Sequence, residues 1–145
     1  MIWSTSWKGK RNMNREILFK AKRKDNGEWV EGNLITNERN ENQKYIGYIF
    51  DERNGVIEDF DLVEVIPTTI CQYTGLTDKN GKRIWENDIV YIRSNGLSGK
   101  GTIQYKEGCL VLVDEKRERT YSLYGEWKIR KDGNIFDNGD LLEVK

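Results

Sequence analysis

Six Asx-Gly pairs, Asn26-Gly27, Asn54-Gly55, Asn80-Gly81, Asn95-Gly96, Asp132-Gly133 and Asn138-Gly139, punctuate a chain of 145 residues that holds a single proline. Glycine accepts positive φ without steric cost and Asn or Asp tolerates the same region, so each pair favours a tight reversal. The segments left between reversals suit short strands and not helices. Ile17, Phe19 and Ala21 alternate with Glu16, Lys20 and Lys22, although Leu18 interrupts the polar face. Asp25-Asn26-Gly27 then turns the chain into a second apolar stretch, Trp29 to Ile35, which predicts a hairpin. Thr36 to Gln43 is almost wholly polar and reads as a solvated loop, after which Lys44 to Phe50 resumes a strand. Val56 to Ile66 continues extended, with a change of apolar phase between Leu62 and Val63 that predicts a bulge. Pro67 cannot donate to a ladder and marks an edge or a crossing point between two halves. Asp88 to Arg93 and Cys109 to Val113 are apolar on both faces, as central strands are, whereas Gly101 to Tyr105, Arg119 to Tyr124 and Glu126 to Ile129 alternate. One helical turn is expected within Asp137 to Leu142.

Charge bears on partners. Lys plus Arg and Asp plus Glu both number 24, but Met1 to Asn12 carries Lys8, Lys10 and Arg11 with no acid, so the remainder holds 21 basic against 24 acidic residues. A chain that grips nucleic acid through phosphates needs an excess of clustered Lys and Arg, and the body has none, so nucleic acid is the weaker expectation. Met13 to Tyr73 is the acidic half, with 8 basic and 12 acidic residues, and Thr74 to Lys145 is near neutral, with 13 and 12. That asymmetry allows head-to-tail association into a homo-oligomer. Cys71 and Cys109 form no Cys-x-x-Cys pair and the chain has no histidine, which argues for reduced, partly buried thiols and against a zinc site. No apolar run approaches the length of a membrane span, so no membrane partner and a cytoplasmic location are expected.

The stretch from Gln72 to Val90 carries the candidate chemistry. Gly75 to Lys82 resembles a phosphate loop only superficially, because five residues separate its glycines, Arg83 follows the lysine and a strand comes next. Glu86 and Asp88 lie two apart at the entrance to a strand, the spacing of a paired-carboxylate acid/base site, yet carboxylates there also cap amides or pair with Lys82 and Arg83. With no histidine to move protons near neutrality, catalysis is the weaker expectation. Trp85 and Trp127 read as core residues of the second half. Alternatively, Tyr73, Trp85, Tyr91 and Tyr105 furnish an aromatic groove in which Lys79, Lys82 and Arg83 anchor an anion. The ligand-binding set is therefore Tyr73, Lys79, Lys82, Arg83, Trp85, Glu86 and Asp88, with no metal and no cofactor. Arg117, Arg119, Lys128, Arg130 and Lys131 form a basic patch, interleaved with acids that cancel its field.

Q-Y-T-G-L-T-D-K-N-G-K-R-I-W-E-N-D-I-V, preceded by V-I-P-T-T-I from Val65 and by N-R-E-I-L-F-K-A-K near the start, resembles the YopX family of phage and prophage proteins. The closing G-N-I-F-D-N-G-D-L-L is similar to that family's end, with Gly139 where a proline is commonly expected. The resemblance runs from about Asn14 to Leu142. It implies a mainly β protein: a β-hairpin or sheet region over 13–73, then an SH3-like β-roll or barrel over 74–145, the two separate or forming one compact unit. Residues 1–12, with Trp3 and Trp7 off any periodic face, lie outside the resemblance and are expected to be a disordered extension or a short basic arm. The family has no established activity. The expectation is an accessory protein of phage or prophage that binds a host protein or a small anionic host molecule, with a nucleic-acid-binding regulator and an enzyme using Glu86 and Asp88 as alternatives.

Overall fold

A computed structural model describes residues 16–142, so the expectation for residues 1–12 lies outside the described residues. The chain is mainly β, with eleven strands among the described residues, arranged in two antiparallel sheets. The first sheet contains β1 (Phe19–Lys22), β2 (Trp29–Asn37), β3 (Asn40–Arg53), β4 (Val56–Val65), β5 (Cys71–Thr77) and β6 (Arg83–Trp85), in the order β4-β3-β2-β1-β5-β6. The second contains β7 (Asp88–Ser94), β8 (Leu97–Lys106), β9 (Cys109–Asp114), β10 (Arg119–Ser122) and β11 (Lys128–Asn134), in the order β10-β9-β8-β7-β11.

The Asx-Gly pairs do not all do the same work. Asn54 and Gly55 both have positive φ, 54° and 81°, and so do Asn95 and Gly96, 46° and 82°, the geometry of the two-residue hairpin turn whose twist matches its strands. Asp132-Gly133 instead lies inside β11, where the register against β7 shifts between Lys131 and Gly133, and Asn138-Gly139 leads into a 3₁₀ turn at Gly139–Leu142. The polar stretch from Thr36 to Gln43 is not a loop. β2 and β3 run to within two residues of each other, because Asn37 and Gln43 bond side chain to side chain (2.8 Å) and Asn37 Oδ1 accepts the Arg39 amide. A strand end wetted on both faces has no apolar alternation to betray it. The bulge expected at Leu62 and Val63 is also absent: these pair regularly with Gly47 and Ile46, and the ladder shifts at Asp51 instead. The change of phase arises because Val63 and Val65 face the core near the base of the hairpin, while Phe60 and Leu62 face outward farther along it.

Pro67 opens a 3₁₀ turn, Pro67–Thr69, that carries the chain from the outer strand β4 across to β5 on the far side of β1. The crossing is short because the first sheet curls until β4 meets β1: Arg23 bridges Val65, and the amides of Lys24 and Ile66 donate to Glu64 and Lys22. Thr69 fastens the turn, its hydroxyl accepting the Lys22 amide and donating to the Ile66 carbonyl. Inside the curl pack Ala21, Ile46 and Val65. The second sheet wraps Val90, Ile92, Ile103, Leu112, Leu123 and Ile129, and Ile84 of β6 is buried among them. A third cluster, Cys71, Tyr73 and Trp85 with Leu18, Trp29 and Phe136 against it, joins the two. Of the two thiols expected to be partly buried, Cys71 is fully so and Cys109 is exposed at the mouth of the β8–β9 turn.

Asp137, past the end of β11, returns the chain to the first sheet. Its carboxylate takes the Lys22 ammonium and the Trp29 indole N–H (2.8 Å), while Phe136 meets the Trp29 ring edge-on at 5.8 Å. These donors hold the Asp137 carboxyl down at about 2, below its ordinary 3.8. A depressed carboxyl adds stability that is present above the unfolded value and is lost as the pH falls through the folded one. Because the side chain is more than a third exposed, that contribution is about 1 kcal/mol after screening. Urea unfolding of wild type and Asp137→Asn should therefore differ by about 1 kcal/mol at pH 7, and the gap should close as the pH drops from 4 towards 2.

Candidate functional site

The chain passes from the first sheet to the second through Glu86 and Asn87, and the residues around that passage hold most of the sequence-derived candidates. Asn87 takes positive φ (70°), donates its amide to Ile103 and accepts that of Ile135, which turns β6 sharply into β7. Glu86 and Asp88 thereby point apart. Glu86 Oε1 accepts the Gln72 amide (3.2 Å) at the edge of the first sheet. Asp88 is fully buried; its Oδ2 accepts the Trp85 amide (2.7 Å) and meets Lys131 Nζ at 3.2 Å. Burial raises the Asp88 carboxyl above its ordinary value, against the opposing pull of the Trp85 amide, Lys131 and Lys20.

Lys20 of β1 is buried as well. Its ammonium lies over the rings of Trp29 (4.4 Å) and Trp85 (5.1 Å), and burial pushes it below the ordinary lysine value although Asp88 pulls the other way. Cys71 beside it donates to the Thr69 carbonyl and is pushed up by burial to about 11, which leaves a thiol and not a nucleophilic thiolate at neutral pH. Tyr73 and Trp85 meet at 5.5 Å with their rings tilted by 50° and are buried inside the same cluster, so neither ring lines a groove. Arg83 is also engaged, bidentate to Glu16 (2.6 and 2.9 Å), near Glu31 and over the Tyr73 ring.

The loop between β5 and β6 is built by Asp78. Its buried Oδ1 accepts the amides of Asn80 and Lys82, both at 2.8 Å, and Gly81 closes the turn at φ 80°. Burial alone would raise this carboxyl, but the amides of Lys82, Asn80 and Lys131 hold it below its ordinary value. The Lys79 amide donates to the Ile129 carbonyl of β11 (3.1 Å), which lays the loop against the second sheet. Lys82 is exposed and is not part of the lining of what this contact creates.

What it creates is a groove of about 660 Å³ bounded by Thr77, Asp78 and Lys79 of the loop, Tyr91 and Arg93 of β7, and Trp127 to Arg130 leading into β11. Arg93 stands directly opposite Lys128 in the ladder, and Tyr91 opposite Arg130. Arg130 lies over the Tyr91 ring at 4.9 Å and is neutralised by Asp132 (2.9 Å). Trp127 bonds through its indole to the Ser122 carbonyl and meets Tyr121 edge-on. Among the described residues neither Arg93, Lys128 nor Lys79 forms an ion pair. Like charges placed directly opposite weaken a sheet, and here a third cation is added to them over an aromatic floor. Of the ligand-binding set read from the sequence only Lys79 belongs to this groove, joined by Tyr91 of the expected aromatic residues. Tyr91 and Arg93, and Lys128 and Arg130, sit two apart on their strands and so share a face, a pattern visible in the sequence, but the pairing that joins them is not.

The basic patch expected from Arg117 to Lys131 divides three ways. Arg117 and Arg119 border a second cleft of about 740 Å³ on β8 and β9, where Arg117 meets Asp114 and Lys100 meets Asp132. Lys128 and Arg130 line the groove, and Lys131 is spent on Asp88. The matched charges of the larger cleft make it the poorer candidate. No helix of the described residues is long and apolar enough to cross a membrane.

Comparison with known proteins agrees with this architecture. The family model described as YopX protein matches residues 18–143. Among solved structures the chain is similar to the crystal structure of protein yopX from Bacillus subtilis, at 15% identity and a TM-score of 0.53, over 88% of this chain and 98% of that one. At such identity the likeness shows the fold alone. No curated protein matches.

The Asp88–Lys131 pair carries a prediction. Removing one partner of a buried ion pair leaves an uncompensated charge, so Lys131→Met should cost about 3 kcal/mol in urea unfolding at pH 7. A carboxyl whose folded value is raised contributes stability that is present below its unfolded value and lost as the pH rises through the folded one. The deficit of Lys131→Met should therefore shrink on acidification towards pH 4.

Proposed function

Because the chain belongs to the YopX family, we propose that it is an accessory protein of phage or prophage that acts as a non-enzymatic binding module, with the groove between the β5–β6 loop, β7 and β11 as its site. The ligand class is acidic: the carboxylate-rich surface of a host protein, or a small host molecule that combines an anionic group with an apolar or aromatic part. The observation that carries this reading is the Arg93–Lys128 pair, two like charges in ladder register with Lys79 beside them, none of the three in an ion pair among the described residues. An acid brought between them would meet cations whose mutual repulsion the fold already bears, and the Tyr91 and Trp127 rings offer the apolar contact. Against catalysis stand the assignments of Asp88 and Glu86 to backbone amides and the want of any histidine. Those same rings favour single-stranded nucleic acid as a second reading, since bases stack on aromatic side chains in basic grooves.

The test is a titration followed by tryptophan fluorescence, with an acidic peptide containing Phe flanked by Asp and Glu, and separately with an oligothymidine. The acidic peptide should bind the wild type. The Lys79→Ala/Arg93→Ala/Lys128→Ala variant should lose at least about tenfold in affinity while its Tm stays within about 2 °C, as surface substitutions do. Binding of the oligothymidine alone, falling steeply with salt, would transfer the groove to nucleic acid. Undiminished peptide binding by the triple variant would remove the groove from the function.

A further inference from the structure

The hairpin of β3 and β4 outruns the sheet it belongs to. β2 pairs with β3 only as far as Gly47, so beyond that residue Tyr48 to Arg53 and Val56 to Asp61 are bonded to each other alone and project as a two-stranded arm. A ribbon of two strands is marginally stable in water. This one also exposes six large apolar side chains, Ile49, Phe50, Val56, Ile57, Phe60 and Leu62, each between 45% and 63% accessible. Ile49 stands opposite Phe60 and Gly47 opposite Leu62, and Leu62 and Ile35 both lie against Gly47, so an apolar stripe crosses three strands on the outer face. Soluble proteins blunt exposed edge strands or cover them. Nothing among the described residues covers this arm.

Its charge names the kind of surface that would. From Tyr48 to Leu62 the arm holds Asp51, Glu52, Glu58, Asp59 and Asp61 against Arg53 alone. Two arms laid on each other would bring both sets of carboxylates together, which disfavours pairing of like with like. The groove of Lys79, Arg93 and Lys128 has the opposite charge and a floor of Tyr91 and Trp127, and its 660 Å³ is of the size that accepts an aromatic side chain. Within one chain as folded, no residue of the arm lines the groove, whose walls are residues 77–79, 91, 93 and 127–130.

We propose that the arm of one copy docks in the groove of a second copy, head to tail, with Phe50, Ile57 and Phe60 as the apolar contacts and Asp51, Glu58 and Asp59 meeting Lys79, Arg93 and Lys128. The proposal rests on the groove being a receptor for acidic ligands and names the same protein as one of them. Since the two patches differ, the contact is heterologous and builds a ring or an open chain. Occupation by a neighbour's arm would also compete with any other acidic ligand.

The experiment is molar mass by light scattering on eluting protein, for the wild type and three variants. Phe50→Ser/Ile57→Ser/Phe60→Ser and Asp51→Lys/Glu58→Lys each disable the arm at exposed positions by unrelated means; Lys79→Glu/Arg93→Glu/Lys128→Glu disables the groove. The wild type should elute as a multimer and each variant as a single chain. An equimolar mixture of the serine arm variant with the groove variant should recover a species of two chains, since one retains an intact groove and the other an intact arm. A monomeric wild type, a groove variant that stays multimeric, or a mixture that does not recover would each overturn the proposal. The acidic-peptide titration is repeated on the serine arm variant: binding retained there leaves the groove a receptor even if self-association fails, and binding lost removes both.

Discussion

A carboxylate without access to water sets the terms for the rest of the molecule. Asp88 stands where the chain leaves one sheet for the other, and its partners come from three places: the Trp85 amide from the end of the first sheet, Lys131 from the outer strand of the second, and Lys20, whose field reaches it from β1. A buried charge is costly unless paired, so the two sheets are tied to one geometry by the penalty of separating these groups. Oδ1 has no partner within the protein, which leaves the pair with Lys131 and the single amide to hold the charge. The aromatic cluster of Tyr73, Trp85 and Trp29 forms the dry wall on one side of this site, and Ile84 extends the bond between sheets into the second core.

That geometry fixes the groove. Lys79 belongs to a loop of the first sheet and Arg93 and Lys128 to the second, so their spacing is only as firm as the junction of the sheets. Two contacts transmit it: the Lys79 amide donates to the Ile129 carbonyl, and the Asp78 carboxylate accepts the amides of its own turn. Opposed cations of this kind weaken a ladder that would otherwise favour a neutral or mixed pair. Their presence on strands that a buried ion pair holds in place is the pattern expected of a binding surface, where strain borne by the fold is relieved on occupation.

The sequence conveyed the strand content well, because alternation and turn chemistry are local. The hairpin through Asn26-Gly27, the central strands β7 and β9, the crossing at Pro67 and the short helical turn near the end were all legible. It failed where polarity and burial part company. Lys20 sits on what reads as the wet face of β1, and the one hint of its burial is Leu18 on that same face, which packs against the aromatic cluster. Asp88 carries no local mark of being buried, since its cover comes from β1 and β11, far away in the chain. The loop candidates Lys82 and Arg83 look as free as Lys79 does; only the structure shows that Arg83 is held by Glu16 and that Lys82 does not line the groove. Opposition of Arg93 to Lys128 depends on the pairing of strands more than thirty residues apart, which no local pattern encodes.

If Asp88 makes one cooperative unit of two sheets, their backbone amides must open together. Native-state hydrogen exchange measures this most directly, through the Trp85 amide that Asp88 accepts, the Tyr73 amide bonded to Leu18 in the first sheet, and the Asn87 amide bonded to Ile103 in the second. The account requires all three to exchange only through global unfolding, with equal opening free energies and equal dependence on denaturant. Two classes of protection, with Trp85 and Tyr73 opening at clearly lower free energy than Asn87, would show that the sheets come apart independently and that the buried carboxylate does not govern the fold.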